Sequence, residues 1–369
     1  MLAIEVLMNG GKRFLHAVLR LMGAMINFVA VSLLVFFVAL YFTDSLIFTD
    51  ISTSCVSCKK PGFEMASPFR DVNDDGKITV DEWRIAISPT TTDPKIEPEL
   101  NPTEQQRVAL ERVNYYRDFV GLKDITLNEA INKAAQAHAK YNVTHTQSGH
   151  EESPGEEGFT GIWPWDRIKF FGYKEFTYAT EVASMRWASH DYLLQIDPKW
   201  AVDGWVDTVY HRLPIISPRV FEAGFGAGKV EKRLAYVMDF ANPGFAEVKR
   251  VVHYPVDRQS DVPFEFKGDE TPDPLPGKKY PVGYPVTVTF NGYQSIKIIS
   301  SEVRDSNGVS VPCYRLLPYS DQFIRDSFAL IPKEPLERGM VYDVKIEAIA
   351  DDDPIYLDWS FTTSTSARD

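Results

Sequence analysis

The pattern of hydrophobic and polar positions separates the N-terminal part of the 369-residue chain from the rest. Residues 21–42 are almost continuously apolar and carry no charge. About 20 apolar residues are enough to cross a bilayer as a helix, so this stretch predicts one transmembrane anchor. Lys12, Arg13 and Arg20 precede it, which predicts a cytoplasmic N-terminus over residues 1–20 and extracellular domains after the anchor. A cleaved signal peptide is the alternative, although the stretch is long for one and no small-x-small site follows.

Residues 103–243 show mainly helical periodicity, with apolar positions three and four residues apart. Two strand-like runs close this region. The first predicted helix begins at Thr103, and three more cover residues 128–142, 180–190 and 201–209. The predicted strands cover residues 220–227 and 234–240. Helices beside a small, mostly antiparallel sheet predict an α+β fold, or an α-β-α sandwich.

Residues 244–369 change to short runs with period-two alternation, separated by polar turns such as Asn291-Gly292. The runs cover residues 251–255, 286–290, 295–299, 328–331, 341–346 and 356–362. Repeated short strands predict an all-β sandwich of the immunoglobulin-like type. No catalytic constellation is visible in it, which favours a spacer or packing role.

Residues 43–87 connect the anchor to the folded part as a predicted stalk, and the Pro/Thr-rich residues 88–102 predict a linker. Residues 71–82 of the stalk fit the twelve-residue EF-hand loop, in which oxygen ligands and a central glycine recur at fixed positions. The predicted calcium ligands are Asp71, Asn73, Asp75, the carbonyl of Lys77, Thr79 and Glu82. The sequence therefore predicts a bound calcium ion beside the membrane.

Composition limits the other kinds of site. The formal net charge is −12 and no long Lys/Arg run occurs, which argues against nucleic acid as a partner. The chain has three cysteines, of which Cys55 and Cys58 form a C-x-x-C. A zinc ribbon requires a second such pair, so a local disulfide or a free thiol pair is the favoured interpretation.

Four of the five histidines between residues 138 and 212, together with one acid, are the candidate chemistry. His138 falls on an apolar helix face, where a core histidine is more common than a ligand. His145 and His150 lie in a Gly/Ser/Glu-rich loop, followed by Glu181 and His211. Neutral imidazoles and carboxylates bind metals or transfer protons, so their meeting in one cleft would make a site.

Residues 103–243 resemble bacterial members of the CAP superfamily, which groups the cysteine-rich secretory, antigen 5 and pathogenesis-related proteins. The motifs that carry the resemblance occur in the family's order: Asn114-Tyr115-Tyr116-Arg117, His138-Ala139-Lys140-Tyr141, Gly158-Phe159-Thr160-Gly161, Tyr210-His211-Arg212-Leu213 and Glu222-Ala223-Gly224-Phe225-Gly226. The resemblance implies an α-β-α sandwich with an open cleft, in which two histidines and two acids meet and some members bind zinc or another divalent ion.

Carried onto this chain, the resemblance implies His150 as the first histidine, with His145 as runner-up, and His211 as the second. It implies Glu181 as the first acid, within Thr180-Glu181-Val182 rather than the family's Gly-Glu-Asn. Two imidazoles and a carboxylate would hold a zinc ion and leave a place for water, so His150 and His211 are the possible zinc ligands.

The second acid is the weakest match to the family. Asp207 lies four residues before His211, and Asp203 lies one turn earlier. Asp207 is the candidate, and the departure from the family pattern leaves the full metal coordination open.

Three hypotheses for function follow. The leading one is a membrane-anchored extracellular interaction module whose cleft takes a divalent ion or a ligand: a cell-wall component, a small molecule or a protein. The second is a metal-assisted hydrolase of cell-wall or secreted polymers, although no serine in this region lies in a nucleophile elbow. The third is an architectural surface protein with an idle cleft.

Overall fold

The computed structural model describes residues 100–190, 193–245, 248–320 and 322–366. All of them belong to one compact unit, residues 98–369. The predicted anchor at 21–42, Cys55 and Cys58, and the predicted calcium loop at 71–82 lie outside the described residues and stay predictions. Among the helices of the described residues, none is both long and apolar enough to cross a bilayer.

The described elements follow the predicted order of a mixed α and β region and then a β region. They are α1 (Pro102–Phe119), β1 (Thr126–Leu127), α2 (Glu129–His145), α3 (Pro164–Phe170), β2 (Tyr178–Trp187), α4 (Pro198–Val206), α5 (Arg212–Ile215), β3 (Glu222–Val230), β4 (Arg233–Asn242), β5 (Arg250–Tyr254), β6 (Gln259–Val262), β7 (Glu265–Phe266), β8 (Val282–Gly283), β9 (Val286–Asn291), β10 (Ile296–Asp305), β11 (Cys313–Leu316), β12 (Ser327–Pro332), β13 (Val341–Ala350) and β14 (Asp353–Thr363).

Helices α1 and α2 begin at side-chain caps. Asn101 accepts a hydrogen bond from the Glu104 backbone N–H at 3.0 Å, with Pro102 at the first helical position. Asn128 accepts from the N–H groups of Ala130 and Ile131. These bonds satisfy donors that a helix N-terminus otherwise leaves unpaired.

The first sheet has the strand order β1-β3-β4-β2, and α2 lies directly against β3. The alternate glycines of β3 allow this contact. A Cβ atom on Gly226 would lie 2.3 Å from the backbone of Gln136, and one on Gly224 would lie 2.2 Å from the backbone of Ile131. Any larger side chain would separate the helix from the sheet.

Helices α1 and α4 cover the other face of this sheet. Val113 of α1 and Trp205 of α4 belong to the same buried cluster as Phe225 of β3 and Tyr236 of β4. The sheet therefore lies between two helical layers, and its two faces present alternate residues of β3.

The prediction of a helix over residues 180–190 was wrong, because residues 178–187 form strand β2. This strand pairs with β4 along its whole length, from Tyr178 opposite Asn242 to Trp187 opposite Arg233. The apolar residues that suggested helical spacing also fit a strand. Residues 178–187 form a strand because pairing with β4 satisfies the backbone hydrogen-bonding groups along the edge of that strand.

Two sheets form the β region, in the orders β10-β13-β14-β6 and β11-β12-β9-β5, beside the short pair β7-β8. Their inward residues share one hydrophobic cluster, which includes Val288 and Phe328 from one sheet and Val344 and Phe361 from the other. The immunoglobulin-like assignment of this region stays a prediction.

The helical region and the β region meet around Arg212, whose side chain is fully buried. Its guanidinium donates to the carbonyls of Val206 and Pro285 and lies over the rings of Tyr254 and Tyr284. The guanidinium of the helical region and the two aromatic rings of the β region therefore hold the backbone beside His211 in place.

Candidate functional site

A cavity of about 310 Å³ lies where the helical region meets the β region. Three of the four predicted cleft residues line it: His150, Glu181 and His211. Residues of the β region, including Phe323 and Ser327, complete the lining. The cavity is therefore built by both regions, whereas the sequence favoured a spacer or packing role for the second.

His150 pairs with Glu181 of β2. The His150 Nδ1 atom lies 2.7 Å from the Oε1 atom of Glu181. The Glu181 carboxylate is almost completely buried, whereas the His150 side chain is 38% exposed. The sheet thus holds the carboxylate in place, and the partly exposed imidazole bound to it lines the cavity.

Arg167 of α3 neutralises the buried carboxylate from the other side. Its guanidinium donates to the Oε2 atom of Glu181 and, at 2.9 Å, to the backbone carbonyl of His150. Arg167 is fully buried. A single arginine therefore positions both members of the His150–Glu181 pair.

The pKa of Glu181 reflects competing effects. Burial raises it, but His138, Arg167 and His150 together lower the pKa by more, so that it lies well below the usual value of 4.5. The Nε2 atom of His138 is 3.6 Å from Glu181 Oε1. Glu181 is consequently ionised at neutral pH.

Asp239 of β4 lies directly opposite Glu181 in the sheet. It is buried, and burial followed by the charge of Glu181 raises its pKa well above 3.8. Two adjacent buried carboxyl groups do not both ionise at low cost. We therefore assign the proton to Asp239 and the negative charge to Glu181.

His138 lies in the core, where its Nδ1 atom is 3.0 Å from Glu152 Oε1 and its Nε2 atom is 2.9 Å from the Gly149 carbonyl. Glu152 also accepts from the backbone N–H of Thr160 at 2.7 Å. These bonds hold residues 149–161, the loop that carries His150. His138 therefore acts here on the loop and does not line the cavity.

His211 pairs with Glu270, a residue of the β region. The distance from His211 Nδ1 to Glu270 Oε1 is 2.8 Å. The same carboxylate accepts from the backbone N–H groups of Val209, Tyr210 and His211 at 2.9, 2.7 and 3.0 Å. The side chain of Glu270 is fully buried, so the segment at 209–211 wraps around it.

The acid beside His211 is therefore Glu270 and not Asp207. Asp207 accepts from the Tyr284 hydroxyl at 2.9 Å and does not line the cavity. Asp203, the second candidate, binds Arg112 and the hydroxyl of Tyr116. Both aspartates connect structural elements.

His145, the runner-up to His150, also lies outside the cavity lining. Its Nε2 atom is 2.8 Å from the Glu157 carbonyl, and its ring packs on Tyr141. His145 therefore helps to hold the loop of residues 149–161 in place.

Glu270 and Asp239 were not among the predicted site residues. Glu270 is 59 residues from its partner and follows no motif. Asp239 did give a signal, because it is the one acid within the apolar run 234–240, and buried acids in a strand have a partner or a shifted pKa.

Aromatic side chains lie at the edge of the cavity. Trp163 and Trp165 stack on each other with ring centroids 5.4 Å apart, and Tyr210 and Phe323 are 5.3 Å apart. The first pair comes from the helical region, and Phe323 comes from the β region. A ligand in the cavity would meet flat apolar faces beside the two imidazoles.

Within the described residues there is no group of three or more His, Cys, Asp or Glu side chains arranged to bind a metal ion. The fit to zinc is therefore partial. His150 and His211 each have one ring nitrogen bound to a carboxylate, as metal-binding histidines usually do. Further ligands would have to come from water or from a bound molecule.

Residues 110–240 match the model of the CAP domain, the cysteine-rich secretory protein family. An outer surface protein of Borrelia burgdorferi is 15% identical over 39% of this chain and 96% of that chain, with a TM-score of 0.32. An extracellular protein of Bacillus anthracis that contains an SCP domain is 20% identical over 42% of this chain and 45% of that chain, with a TM-score of 0.31. Comparison with curated proteins gives no match. The family match includes His150, Glu181 and His211 and ends before Glu270.

Proposed function

We propose that this protein is an extracellular interaction module that binds a small ligand or a divalent ion in the cavity between its helical and β regions. One observation carries the proposal: His150 and His211 line the same cavity, and a buried carboxylate holds the Nδ1 atom of each. The match of residues 110–240 to the CAP domain supports the same class of function.

The pairing with carboxylates determines which nitrogen is left for a ligand. Glu181 and Glu270 accept from the two Nδ1–H groups, which leaves the in-plane lone pair of a singly protonated ring on Nε2. Within the described residues, neither Nε2 atom has a hydrogen-bond partner. The Nε2 atoms of both imidazoles can thus accept a hydrogen bond from a ligand or bind a cation.

A divalent ion would be held by the Nε2 atoms of His150 and His211. Structural zinc sites use four protein ligands and catalytic sites usually use three, so two imidazoles make a weak site. Such an ion would exchange readily and would take its remaining ligands from the bound molecule.

Zinc titration tests this proposal directly. Isothermal calorimetry of the full chain with Zn²⁺ should detect one cavity site, which His211→Ala and His150→Ala each weaken by at least about tenfold. His145→Ala is the matched control, because this histidine lies outside the cavity lining. Equal zinc affinity in all four proteins would place the ion elsewhere.

A metal-assisted hydrolase is the second candidate, favoured by the carboxylate–imidazole pairs, because a carboxylate bound to one ring nitrogen fixes the orientation of the imidazole. Turnover of peptidoglycan or of a peptide library by the zinc-loaded chain, lost in His211→Ala, would support it. Ligand binding without turnover would support the interaction module alone. The absence of both zinc binding and ligand binding would indicate an idle cleft in an architectural protein.

We also propose that residues 21–42 anchor the chain, that the folded part faces outward, and that residues 71–82 hold calcium. The sequence pattern alone supports these three points. Elemental analysis of the purified chain should give about one calcium per chain, and Glu82→Gln should abolish it while Asp81→Asn retains it, because position 12 of the loop is the bidentate ligand.

A further inference from the structure

We propose that the ligand of this cavity is a neutral saccharide, and this inference rests on the proposed function of the cavity as a ligand site. A sugar ring has apolar C–H faces and a polar edge of hydroxyl groups. The cavity offers both kinds of partner, as aromatic faces and as hydroxyl, amide and imidazole groups.

The apolar partner is the pair Trp163 and Trp165, together with Phe323. Trp163 and Trp165 are 37% and 40% exposed, and their rings are nearly parallel, with an angle of 19° between the planes. Phe323 is 43% exposed. Large aromatic rings left open to solvent around a cavity indicate a contact surface for a ligand.

The polar partner comes from the β region. The hydroxyl groups of Thr289 and Ser327 lie 2.9 Å apart, and Ser327 Oγ is 3.3 Å from Asp326 Oδ1. Thr289 and Ser327 are almost completely buried, yet both line the cavity. Together with Gln322 and the two imidazoles they provide donors and acceptors for the hydroxyl groups of a sugar.

An acyl chain fits this lining poorly, because it would cover hydroxyl, imidazole and carboxylate groups without replacing their contacts with water. A strongly anionic ligand fits poorly as well. Arg219 is the one Arg or Lys among the described residues of the lining, and its guanidinium already packs on the Tyr178 ring at 4.2 Å. The same lining contains Glu181 and Asp326, and the chain is acidic overall.

The volume limits the size of the ligand. A cavity of about 310 Å³ is at the small end of the range for ligand sites, roughly 300 to 1,000 Å³. It accommodates one or two sugar rings of a free oligosaccharide or of a polymer end.

The test is calorimetric titration of the full chain with chitotetraose, cellotetraose and xylotetraose. The chain is kept in a polyoxyethylene detergent, because detergents with sugar headgroups would compete. At least one of the three should bind. Trp165→Ala should weaken that binding by about tenfold, the loss expected for one aromatic stacking contact, while Trp165→Phe should retain most of it.

The matched control is Trp187→Ala, which removes a tryptophan that is 59% exposed and lies outside the cavity lining. It should leave the affinity unchanged. Phe323→Ala should weaken binding as Trp165→Ala does, which shows that both regions contribute. Circular dichroism melting identifies any variant that is unfolded. Co-sedimentation with chitin or cellulose separates binding of free oligosaccharide from binding of polymer.

Two results would overturn the saccharide proposal: no binding of any of the three sugars, or equal binding by wild type, Trp165→Ala and Phe323→Ala. If sugars fail while Zn²⁺ or a peptide binds in a manner that depends on His211, the ligand class is wrong and the cavity remains a binding site. If none of the sugars, Zn²⁺ and the peptide binds, both proposals fail.

Discussion

The two imidazole–carboxylate pairs of the cavity are built in different ways. His150 and Glu181 both lie within residues 110–240, the part that matches the CAP family model. His211 lies in that part, but its partner Glu270 belongs to the β region. The matched domain therefore supplies one complete pair and only half of the other, so that the second pair depends on the β region.

The two carboxylates are also stabilised by different groups. Glu181 is surrounded by side chains that titrate or carry charge: Arg167, His138 and Asp239. Glu270 is surrounded by the backbone N–H groups of residues 209–211. We therefore expect the first pair to respond most to changes of charge, and the second to changes in the position of the backbone.

The largest expected effect comes from breaking the first pair at Arg167. In Arg167→Ala the Glu181 carboxylate loses its buried countercharge beside Asp239, and such a loss costs about 3–5 kcal/mol. The free energy of unfolding from a urea titration measures it.

Arg258→Ala is the control, because the Arg258 side chain is 89% exposed and its removal should change stability by less than about 0.5 kcal/mol. A loss below about 1 kcal/mol in Arg167→Ala would mean that the buried cluster does not depend on this guanidinium.

Breaking the second pair at Glu270 should have the next largest effect. Glu270→Ala removes the acceptor of three backbone N–H groups, and leaving a buried donor unpaired costs about 1–3 kcal/mol. We expect a total loss of about 2–4 kcal/mol, and a loss of the His211-dependent zinc binding. Glu270→Gln keeps an oxygen acceptor, so its stability and its zinc affinity should lie between those of wild type and Glu270→Ala.

The exposed Glu334→Ala is the matched control in the β region and should leave stability and zinc binding unchanged. Normal zinc binding by Glu270→Ala would show that His211 does not need the β region, which would remove the difference between the two pairs.

The pH dependence of stability should sharpen the comparison, because the carboxylate of the first pair lies opposite Asp239, a carboxyl group whose pKa is strongly raised. The native pKa of Asp239 lies well above its ordinary value of 3.8, since burial and Glu181 both oppose its ionisation. Between these two pKa values the native state binds the extra proton. Stability therefore falls as pH rises from roughly 4, by about 1.4 kcal/mol per pH unit, until native Asp239 ionises.

Asp239→Asn resembles the protonated acid and removes this dependence, so its stability relative to wild type should increase from pH 5 to pH 8. The control Asp358→Asn, at a side chain 67% exposed, should keep the wild-type slope. Parallel curves for wild type and Asp239→Asn would contradict a raised native pKa of Asp239.

The sequence predicted the parts of the fold that local patterns determine. The sequence predicted the start of α1 and nearly the bounds of α2, and the period-two runs predicted the β region. Residues 180–190 were assigned wrongly, because the ten residues of β2 fit both periodicities and their conformation is decided by a partner strand 46 to 64 residues further along the chain. Pairing over that distance leaves no local signal.

The same reason limits the prediction of the site. His150, Glu181 and His211 follow from the order of family motifs, and the structure brings them to one cavity. Glu270 contacts His211 only because the β region folds against α5, so proximity along the chain suggested Asp207 in its place. A long-range contact between two regions cannot be read from the spacing within either.

The smallest effect should come from Asp207→Asn, which distinguishes proximity in sequence from proximity in space. The side chain accepts a hydrogen bond from the Tyr284 hydroxyl and does not line the cavity. Asparagine keeps an oxygen acceptor there, so the free energy of unfolding should fall by about 1 kcal/mol or less. The affinity for Zn²⁺ should equal that of wild type, whereas Glu270→Ala loses it. If Asp207→Asn instead lost zinc and Glu270→Ala retained it, the acid beside His211 in sequence would be the functional one, and the β region would have no part in the site.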